Sequence, residues 1–354
     1  MIRPVRIGTR AVGPGQACLV VAEAGVNHNG DPATALRLVD AAVAAGADAV
    51  KFQSFVAADL VTATARKASY QEETTGAGGS QLAMLRALEL EPEAQARIKA
   101  HCDAAGILYL CTPYDHRSID RLDALDVAAF KVASTDTTNV PLLRYLAGKG
   151  RPVILSTGMC SLADVELAVD TLRRGGLENH IVLLQCTAEY PAPLDEINLR
   201  AMRTLEQAFL CPAGFSDHTR GIEAASWAVA LGACMVEKHF TLSRRMEGPD
   251  HRASLEPAEM ARLVQTVRRV EAALGSGRKE VTPSEAANRD RMRKSLVVTR
   301  PVRAGERISA RDLACKRPGN GLPPSWLDRV SGRRAARDLE ADTLLTMDAV
   351  DWEA

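Results

Sequence analysis

Short apolar runs alternate with longer amphipathic segments along the first 275 residues of the chain. The runs are rich in Val, Ile, Leu and Phe, which is typical of buried parallel strands, and the longer segments repeat apolar residues with helical spacing. Strands are predicted at residues 18–23, 48–53, 107–111, 127–133, 152–156, 181–187, 211–216 and 234–240. Helices are predicted after Asp31 and Pro32 and at 93–105, 116–124, 139–148, 161–174, 196–208, 221–231 and 257–274. This alternation of eight strands with helices predicts an α/β fold, a closed (β/α)₈ TIM barrel.

Two segments depart from this pattern. The connection 54–92 is long for a barrel, and its glycine-rich centre, residues 74–80, predicts a mobile loop over the barrel mouth. After Gly275 the chain becomes polar and charged before a short apolar run and a Pro/Gly turn follow. We therefore predict a catalytic barrel at 1–274, a linker at 275–292 and a small domain at 293–354.

Composition narrows the class of ligand. The 44 basic and 44 acidic residues cancel, so neither nucleic acid nor an anionic membrane is favoured as a partner. No run of about 18 apolar residues could span a bilayer, and the first residues lack the apolar stretch of a signal peptide. The eight cysteines include no CxxC pair and are expected to be reduced thiols. We expect a cytoplasmic protein that acts on a small solute.

The predicted strands end in polar residues, and catalytic residues of such barrels lie at these carboxyl ends. The strand-end residues are Glu23, Lys51, Gln53, Thr112, Lys131, Ser134, Ser156, Thr157, Cys186, Thr187, Tyr190, Ser216, Asp217, His218, Lys238 and His239. Singly, each has a structural explanation, since lysines extend to solvent and serines cap helices. Together, two lysines and two histidines at one end of a barrel favour a site for an anion and a metal ion.

The residue types suggest roles for several of these groups. Lys51 and Lys131 provide positive charge, and Ser134, Ser156 and Ser216 provide short hydrogen-bond donors suited to phosphate or carboxylate.

The histidines suggest a metal ion. His218 and His239 end neighbouring strands and are predicted to hold one divalent ion, with Lys238 adding positive charge nearby. Catalytic zinc normally has three protein ligands, so Mn²⁺ or Mg²⁺ fits two histidines better.

Two acidic residues complete the predicted set. Glu23 and Asp250 are expected to face the barrel mouth, where they could move protons or bind substrate hydroxyls. Asp250 follows Pro249 and is equally well explained as a turn residue.

Several motifs resemble those of the sialic acid synthases, which condense phosphoenolpyruvate with an acylated sugar. They are AEAGVNHNGD, ADAVKFQ, FKVASTDTTNVPLL, PVILSTGM, GFSDHT, VEKHFT, EGPDHRASLEP and KRPGNG, in order along nearly the whole chain. The resemblance implies a TIM barrel followed by a small C-terminal antifreeze-like (SAF) domain. It also implies a domain-swapped homodimer, in which Arg317 of the KRPGNG motif reaches the other subunit's site.

The resemblance also implies a role for individual residues. Phosphoenolpyruvate would bind Lys51, Lys131, Ser134, Ser156 and Ser216, and the metal would bind His218 and His239. The acceptor sugar or the reacting water would contact Glu23, Gln53, Tyr190, Asp250 and Arg317, and Thr112 is placed with the substrate-binding residues. Ala188 and Asp136 depart from the family pattern, which often has Asn and Glu there, and Ala188 cannot donate a hydrogen bond from its side chain.

The implied reaction joins phosphoenolpyruvate to an open-chain N-acylated hexosamine and releases phosphate by carbon–oxygen cleavage. The first expectation for the acceptor is N-acetylmannosamine, which gives N-acetylneuraminate. An alternative acceptor is 2,4-diacetamido-2,4,6-trideoxymannose, which gives N,N'-diacetyllegionaminate. A third hypothesis, a non-catalytic carbohydrate-binding protein, is disfavoured because both lysines and both histidines are present.

Overall fold

The chain forms two compact units, Met1–Gly275 and Ser276–Ala354. The computed structural model describes residues 2–76 and 78–353, with the backbone alone at positions 69 and 70. The second unit includes residues 276–292 of the segment predicted as a linker, 275–292, and 283–292 within that segment are helical.

The first unit begins with a two-stranded hairpin that the apolar pattern did not predict. Its strands are β1, Val5–Ile7, and β2, Arg10–Val12. Three residues are too few to show a clear alternation, which explains why the hairpin was missed. Val5, Ile7 and Val12 are buried against Leu19 and Ala49 near the start of the barrel strands. The hairpin therefore packs on the amino-terminal end of the barrel, opposite the strand ends considered below.

Eight parallel strands form a closed barrel, which confirms the predicted fold class. Each strand pairs with its neighbours in chain order, and the last pairs with the first. The barrel strands are β3, Leu19–Gly25; β4, Ala49–Ser54; β5, Leu108–Pro113; β6, Phe130–Val132; β7, Val153–Ser156; β8, Ile181–Cys186; β9, Ala213–Asp217; and β10, Met235–His239.

Most helices surround the barrel and present an apolar face to the strands, whereas α2, α3 and α4 lie in the connection between β4 and α5. The helices are α1, Pro32–Ala44; α2, Ala57–Leu60; α3, Ser69–Thr75; α4, Gln81–Arg86; α5, Pro92–Ala105; α6, His116–Ala124; α7, Val140–Ala147; α8, Leu162–Arg174; α9, Ala201–Phe209; α10, Glu223–Ala230; and α11, Pro257–Leu274. The start of α1 is as predicted, since the Asp31 carboxylate accepts hydrogen bonds from the backbone N–H groups of Ala33 and Thr34.

The connection between β4 and α5 differs from the predicted mobile loop. Its described part contains α2, α3 and α4, and Ala77 at the centre of the glycine-rich segment lies outside the described residues. The Asp115 carboxylate accepts from the Val56 N–H at 2.8 Å, and Thr74 donates to the Pro249 carbonyl at 3.2 Å. These bonds tie the start and the middle of the segment to loops that follow β5 and β10.

The second unit has its own apolar core, which includes Leu296, Val298, Val302 and Ile308. Its elements are α12, Pro283–Met292; β11, Ser295–Val298; β12, Leu313–Lys316; α13, Leu327–Val330; β13, Arg334–Ala335; and β14, Val350–Asp351. The strands pair as two antiparallel ribbons, β11 with β12 and β13 with β14.

Two expectations from composition can be compared with the structure. All eight cysteines are free thiols, as expected from their spacing. None of the helices in the described part of the chain combines the length and apolar character needed to cross a bilayer.

Candidate functional site

A cavity of about 500 Å³ opens at the carboxyl ends of the barrel strands. It is lined by all twelve site residues that the sequence predicts within the barrel, which are Glu23, Lys51, Gln53, Thr112, Lys131, Ser134, Ser156, Tyr190, Ser216, His218, His239 and Asp250. The structure thus brings together residues separated by more than 200 positions in the sequence. Asp250, for which a turn role was equally plausible, lies in the cavity wall.

The period of two along each strand explains this convergence. Val21, Ala49, Leu110 and Ile154 fill the barrel interior, and Glu23, Lys51, Thr112 and Ser156 follow each of them two residues later. The lower layer is apolar and closes the barrel, whereas the upper layer is polar and faces the cavity. The same alternation places Glu237 and His239 inside, two and four residues after Met235.

Lys51 lies at the centre of the cavity floor, which we define as Glu23, Lys51, Lys131, Ser216 and Glu237. Its ammonium group is 2.8 Å from Glu23 Oε2 and donates to Thr112 Oγ1 at 3.1 Å. Burial disfavours its charge, but the carboxylates of Glu23 and Glu237 outweigh this effect and raise the pKa of Lys51. Lys51 therefore remains a buried cation, only 3% exposed.

Lys131 is the second buried cation of the floor. Its ammonium group donates to Ser156 Oγ at 2.7 Å and to the Val132 carbonyl at 3.2 Å. Burial and the nearby Lys51 lower the pKa of Lys131, and Glu237 opposes this shift. Two ammonium groups this close would be costly without an anionic partner.

Glu237 is that partner, and the sequence reasoning gave it no role in the site. Its two carboxylate oxygens lie 3.8 Å from Lys51 Nζ and 3.7 Å from Lys131 Nζ, and one accepts from Ser216 Oγ at 2.9 Å. Burial would raise the pKa of Glu237, but the two lysines lower it to about 2. The inward position was predictable from alternation, because Glu237 lies two residues before His239.

Glu23 has the opposite electrostatic character. Burial raises the pKa of Glu23 to about 7; Glu237 adds to the rise, and Lys51 opposes it. Gln53 donates to Glu23 Oε1 at 3.4 Å. The cavity floor thus contains the firmly ionised Glu237 and also Glu23, which binds a proton near neutral pH. This pKa suits Glu23 to proton transfer.

Tyr190, His218 and His239 form an aromatic group at one side of the cavity. The His218 and His239 ring centroids are 5.4 Å apart, and Tyr190 lies 4.1 Å from His218 and 5.6 Å from His239. His218 Nδ1 is 2.7 Å from the Thr187 carbonyl, which can only accept, so Nδ1 carries a hydrogen and Nε2 is the nitrogen left for a ligand. Burial and the neighbouring His218 hold the pKa of His239 well below its usual range.

These two imidazoles fit a divalent ion that takes its other ligands from solvent or substrate. His239 Nδ1 is buried and has no hydrogen-bond partner among the described residues. No group of three or more His, Cys, Asp or Glu side chains in the described chain is arranged to hold a metal ion by itself. The protein would therefore supply two ligands from its histidines, which leaves positions open.

Asp250 follows β10 and contributes a buried carboxylate. Burial raises the pKa of Asp250 to about 6, whereas the charges of His218 and Lys51 oppose the rise. A carboxyl group with this pKa can accept a hydrogen bond or exchange a proton near neutral pH.

Lys238 adds positive charge near the site, since burial first and the Lys238 charge to a lesser degree lower the pKa of His239, but its side chain does not line the cavity. It points to the opposite face of β10 from His239, and its ammonium group is 2.9 Å from Asp217 and donates to the Thr219 carbonyl. The side chain is 1% exposed. Alternation along the strand explains this position, because adjacent residues face opposite sides of a sheet.

The two departures from the family pattern have different positions. Ala188 lines the cavity beside Ser134, whose hydroxyl accepts from the Gly158 N–H at 2.9 Å. A side chain on Gly158 would press against Ser134 and Ala188, so glycine at this position allows the two residues to pack closely against the backbone. Asp136 is not among the cavity residues, and it accepts from Asn139 Nδ2 at 2.9 Å in the turn before α7.

Arg317, the remaining predicted site residue, belongs to the second unit. It is exposed, and its Nε donates to the Met292 carbonyl at 3.2 Å.

The chain matches the NeuB family over residues 38–279 and the SAF domain over residues 293–351. It is 43% identical over 347 residues to an N,N'-diacetyllegionaminic acid synthase of Legionella pneumophila, covering 97% of this chain and 98% of the relative. It is 44% identical over 328 residues to a protein of the same name from Campylobacter jejuni, covering 92% and 98%.

A solved structure with the same fold supports these matches. It is an N-acetylneuraminic acid synthetase from Leptospira borgpetersenii in complex with citrate, with a TM-score of 0.71 and 33% identity. The match covers 81% of this chain and 95% of the other.

Proposed function

The chain belongs to the NeuB family of synthases that condense phosphoenolpyruvate with sugars, and we propose that its acceptor is 2,4-diacetamido-2,4,6-trideoxymannose. The products would be N,N'-diacetyllegionaminate and phosphate. The two legionaminic acid synthases at 43% and 44% identity support this acceptor over N-acetylmannosamine, which the sequence reasoning placed first. The hypothesis of a non-catalytic carbohydrate-binding protein is set aside, because the relatives are synthases.

The observation that carries the proposal is that the cavity floor contains two lysines and that two imidazoles line the same cavity. Lys51 and Lys131 share Glu237, and both face the same cavity as His218 and His239. The two ammonium groups match the carboxylate and phosphate of phosphoenolpyruvate, and the Ser134, Ser156 and Ser216 hydroxyls add donors. An aldehyde beside the imidazoles would then lie next to carbon 3 of phosphoenolpyruvate.

The reaction follows from this placement. Carbon 3 of phosphoenolpyruvate forms a bond to the aldehyde carbon as the carbon 2–carbon 3 double bond and the carbon–oxygen π bond of the aldehyde break. The aldehyde oxygen takes up a proton from solvent and becomes a hydroxyl, and carbon 2 is left electron-poor. Water adds at carbon 2 and gives up a proton to Glu23, the leading candidate base because its pKa is about 7. The carbon 2–oxygen bond to phosphate then breaks, which leaves the 2-keto acid and free phosphate.

His218 and His239 would hold Mn²⁺ or Mg²⁺ in this proposal. A divalent ion supplies Lewis-acid polarisation of a carbonyl oxygen when it is bound. Gln53, Tyr190 and Asp250 line the same cavity and would orient the acceptor through its hydroxyl and amide groups.

The acceptor assignment is tested by following phosphate release from the full-length protein with phosphoenolpyruvate and Mn²⁺. We expect kcat/KM to be higher by about 10-fold or more for 2,4-diacetamido-2,4,6-trideoxymannose than for N-acetylmannosamine. A higher value for N-acetylmannosamine would contradict the assignment and restore N-acetylneuraminate as the product. If phosphate were released with neither of the two sugars, both acceptor assignments would be contradicted.

Arg317 enters the proposal through a second copy of the chain. We propose a homodimer in which the Arg317 guanidinium of one protomer contacts the acceptor in the other protomer's barrel. An exposed guanidinium is suited to carbonyl and hydroxyl oxygens of a sugar.

The sharing of sites between protomers predicts complementation. The Lys51→Ala and Arg317→Ala chains should each have little activity alone. When the two chains are co-expressed, half of the dimers should be mixed, and each mixed dimer has one of its two sites with both residues intact. The sample should therefore recover about one quarter of wild-type activity. No recovery, with mixed dimers verified by mass spectrometry, would show that Arg317 does not act across subunits.

A further inference from the structure

The cavity has an apolar wall in addition to its charged floor. We define the apolar wall as Leu60, Met84 and Leu85, which line the cavity from α2 and α4. These half-buried side chains pack with the buried Val26, Phe55 and Leu88 in a hydrophobic cluster separate from the main core. Among the described residues of the connection 54–92, the cavity-lining side chains carry no formal charge.

The apolar wall is held in place by bonds at both ends of the connection. The Glu89 carboxylate, near the end of the connection, accepts at 2.5 Å from the N–H of Ala57, near its start. Ser80 caps α4 by accepting from the Ala83 N–H. Thr74 donates to the Pro249 carbonyl, next to the cavity residue Asp250. These hydrogen bonds hold the apolar wall in position at the cavity.

The proposed reaction determines which part of the acceptor meets this wall. The aldehyde carbon must lie beside phosphoenolpyruvate on the lysine floor, so the other end of an open-chain sugar extends away from the floor. Leu60, Met84 and Leu85 come from the connection over the barrel mouth and not from the strand ends. They face the space that the distal carbons and their substituents would occupy.

We propose that the apolar wall selects the acceptor by packing against its C6 methyl and C4 acetamido methyl groups. This inference rests on the proposed function and names the residues that determine its specificity. N-acetylmannosamine carries hydroxyls at both positions, and a hydroxyl placed against Leu60, Met84 and Leu85 loses hydrogen bonds to water that these three side chains cannot replace. A discrimination of about 10- to 100-fold is expected from such a surface.

Two leucines of α4 provide a matched pair of variants. Leu85 lines the cavity, whereas Leu82 is half-buried on the same helix and does not line it. Leu85→Asn introduces a polar side chain of similar shape into the apolar wall, and Leu82→Asn makes the same change outside it. Both carry the same cost in helix propensity.

Binding can be measured without turnover by using the reduced sugars. The alditols of 2,4-diacetamido-2,4,6-trideoxymannose and N-acetylmannosamine are open-chain and lack the aldehyde, so calorimetry reports their affinity alone. We expect the wild type and Leu82→Asn to bind the diacetamido alditol more tightly. In Leu85→Asn, the ratio of the two affinities should fall by about 10-fold.

Three results would overturn the inference. These are an unchanged affinity ratio in Leu85→Asn, an equal fall in the ratio in Leu82→Asn, and no binding of either alditol to the wild type. Phosphate release by the wild type with the two sugars is measured separately. The proposed reaction can therefore survive when the inference about the wall fails, and the two failures are distinguishable.

Discussion

Replacing Lys51 with alanine is expected to lower kcat/KM for phosphoenolpyruvate by about 10³-fold, because the substrate's negative charge loses a buried cation. Lys51 is 3% exposed and lies within 3.8 Å of both floor carboxylates. Water that enters the vacated space does not replace a fixed positive charge, since it must reorient for each substrate molecule. The loss should appear in phosphoenolpyruvate binding as well as in turnover.

The Lys51→Ala barrel should remain folded. Glu237 keeps Lys131 as a partner at 3.7 Å, and Glu23, with a pKa of about 7, can take up a proton instead of remaining an unpaired anion. Circular dichroism and the melting temperature check the fold, and calorimetry with phosphoenolpyruvate checks binding.

Lys149→Ala is the control for the loss of a lysine. Lys149 bonds Asp120 on the outside of the barrel, so its loss should leave kcat/KM unchanged. If Lys51→Ala were folded and kept wild-type affinity for phosphoenolpyruvate, the lysine floor would not be the anion site.

The barrel and most of its site were predictable because a local pattern determines them. Period-two alternation decides which strand residues face inward, so Lys51, Lys131 and Ser156 could be assigned to the cavity without coordinates. The same rule, applied strictly, would have included Glu237 and excluded Lys238. Glu237 was missed because adjacent residues of one motif were grouped together and the two faces of β10 were not separated.

Other features depend on contacts that no local pattern reveals. The helices α2 and α4 are four and six residues long, which is too short for a helical period to be recognised. Their position is set by distant partners, as in the bond from Val56 to Asp115. The electrostatic difference between Glu23 and Glu237 is likewise invisible in the sequence, because it depends on distances to both lysines.

The connection 54–92 shows how acceptor choice can vary on a constant barrel. The floor that would bind phosphoenolpyruvate is built from strand residues, whose positions are set by the hydrogen-bonded sheet. The apolar wall is built from α2 and α4, which can change without disturbing the strands. If the proposed role of the apolar wall is correct, changes at Leu60, Met84 and Leu85 would alter acceptor specificity and leave the floor intact.

Removing one histidine ligand is the second change with a large expected effect. We expect His239→Ala to weaken Mn²⁺ binding by at least about 10²-fold, because among the described residues His239 would be one of two imidazoles that hold the ion. Turnover should fall with the same variant, and treatment of the wild type with a chelator should abolish phosphate release until Mn²⁺ or Mg²⁺ is added back.

Metal affinity can be measured independently of activity by titrating Mn²⁺ and recording its electron paramagnetic resonance signal. The matched control is His28→Asn, since His28 is also a buried histidine but does not line the cavity. His28 Nδ1 accepts from the Gly30 N–H at 2.9 Å, a bond that an asparagine oxygen can replace. Equal Mn²⁺ affinity in His239→Ala and the wild type would show that the ion binds elsewhere. His239, whose buried Nδ1 has no hydrogen-bond partner among the described residues, would then require a different explanation.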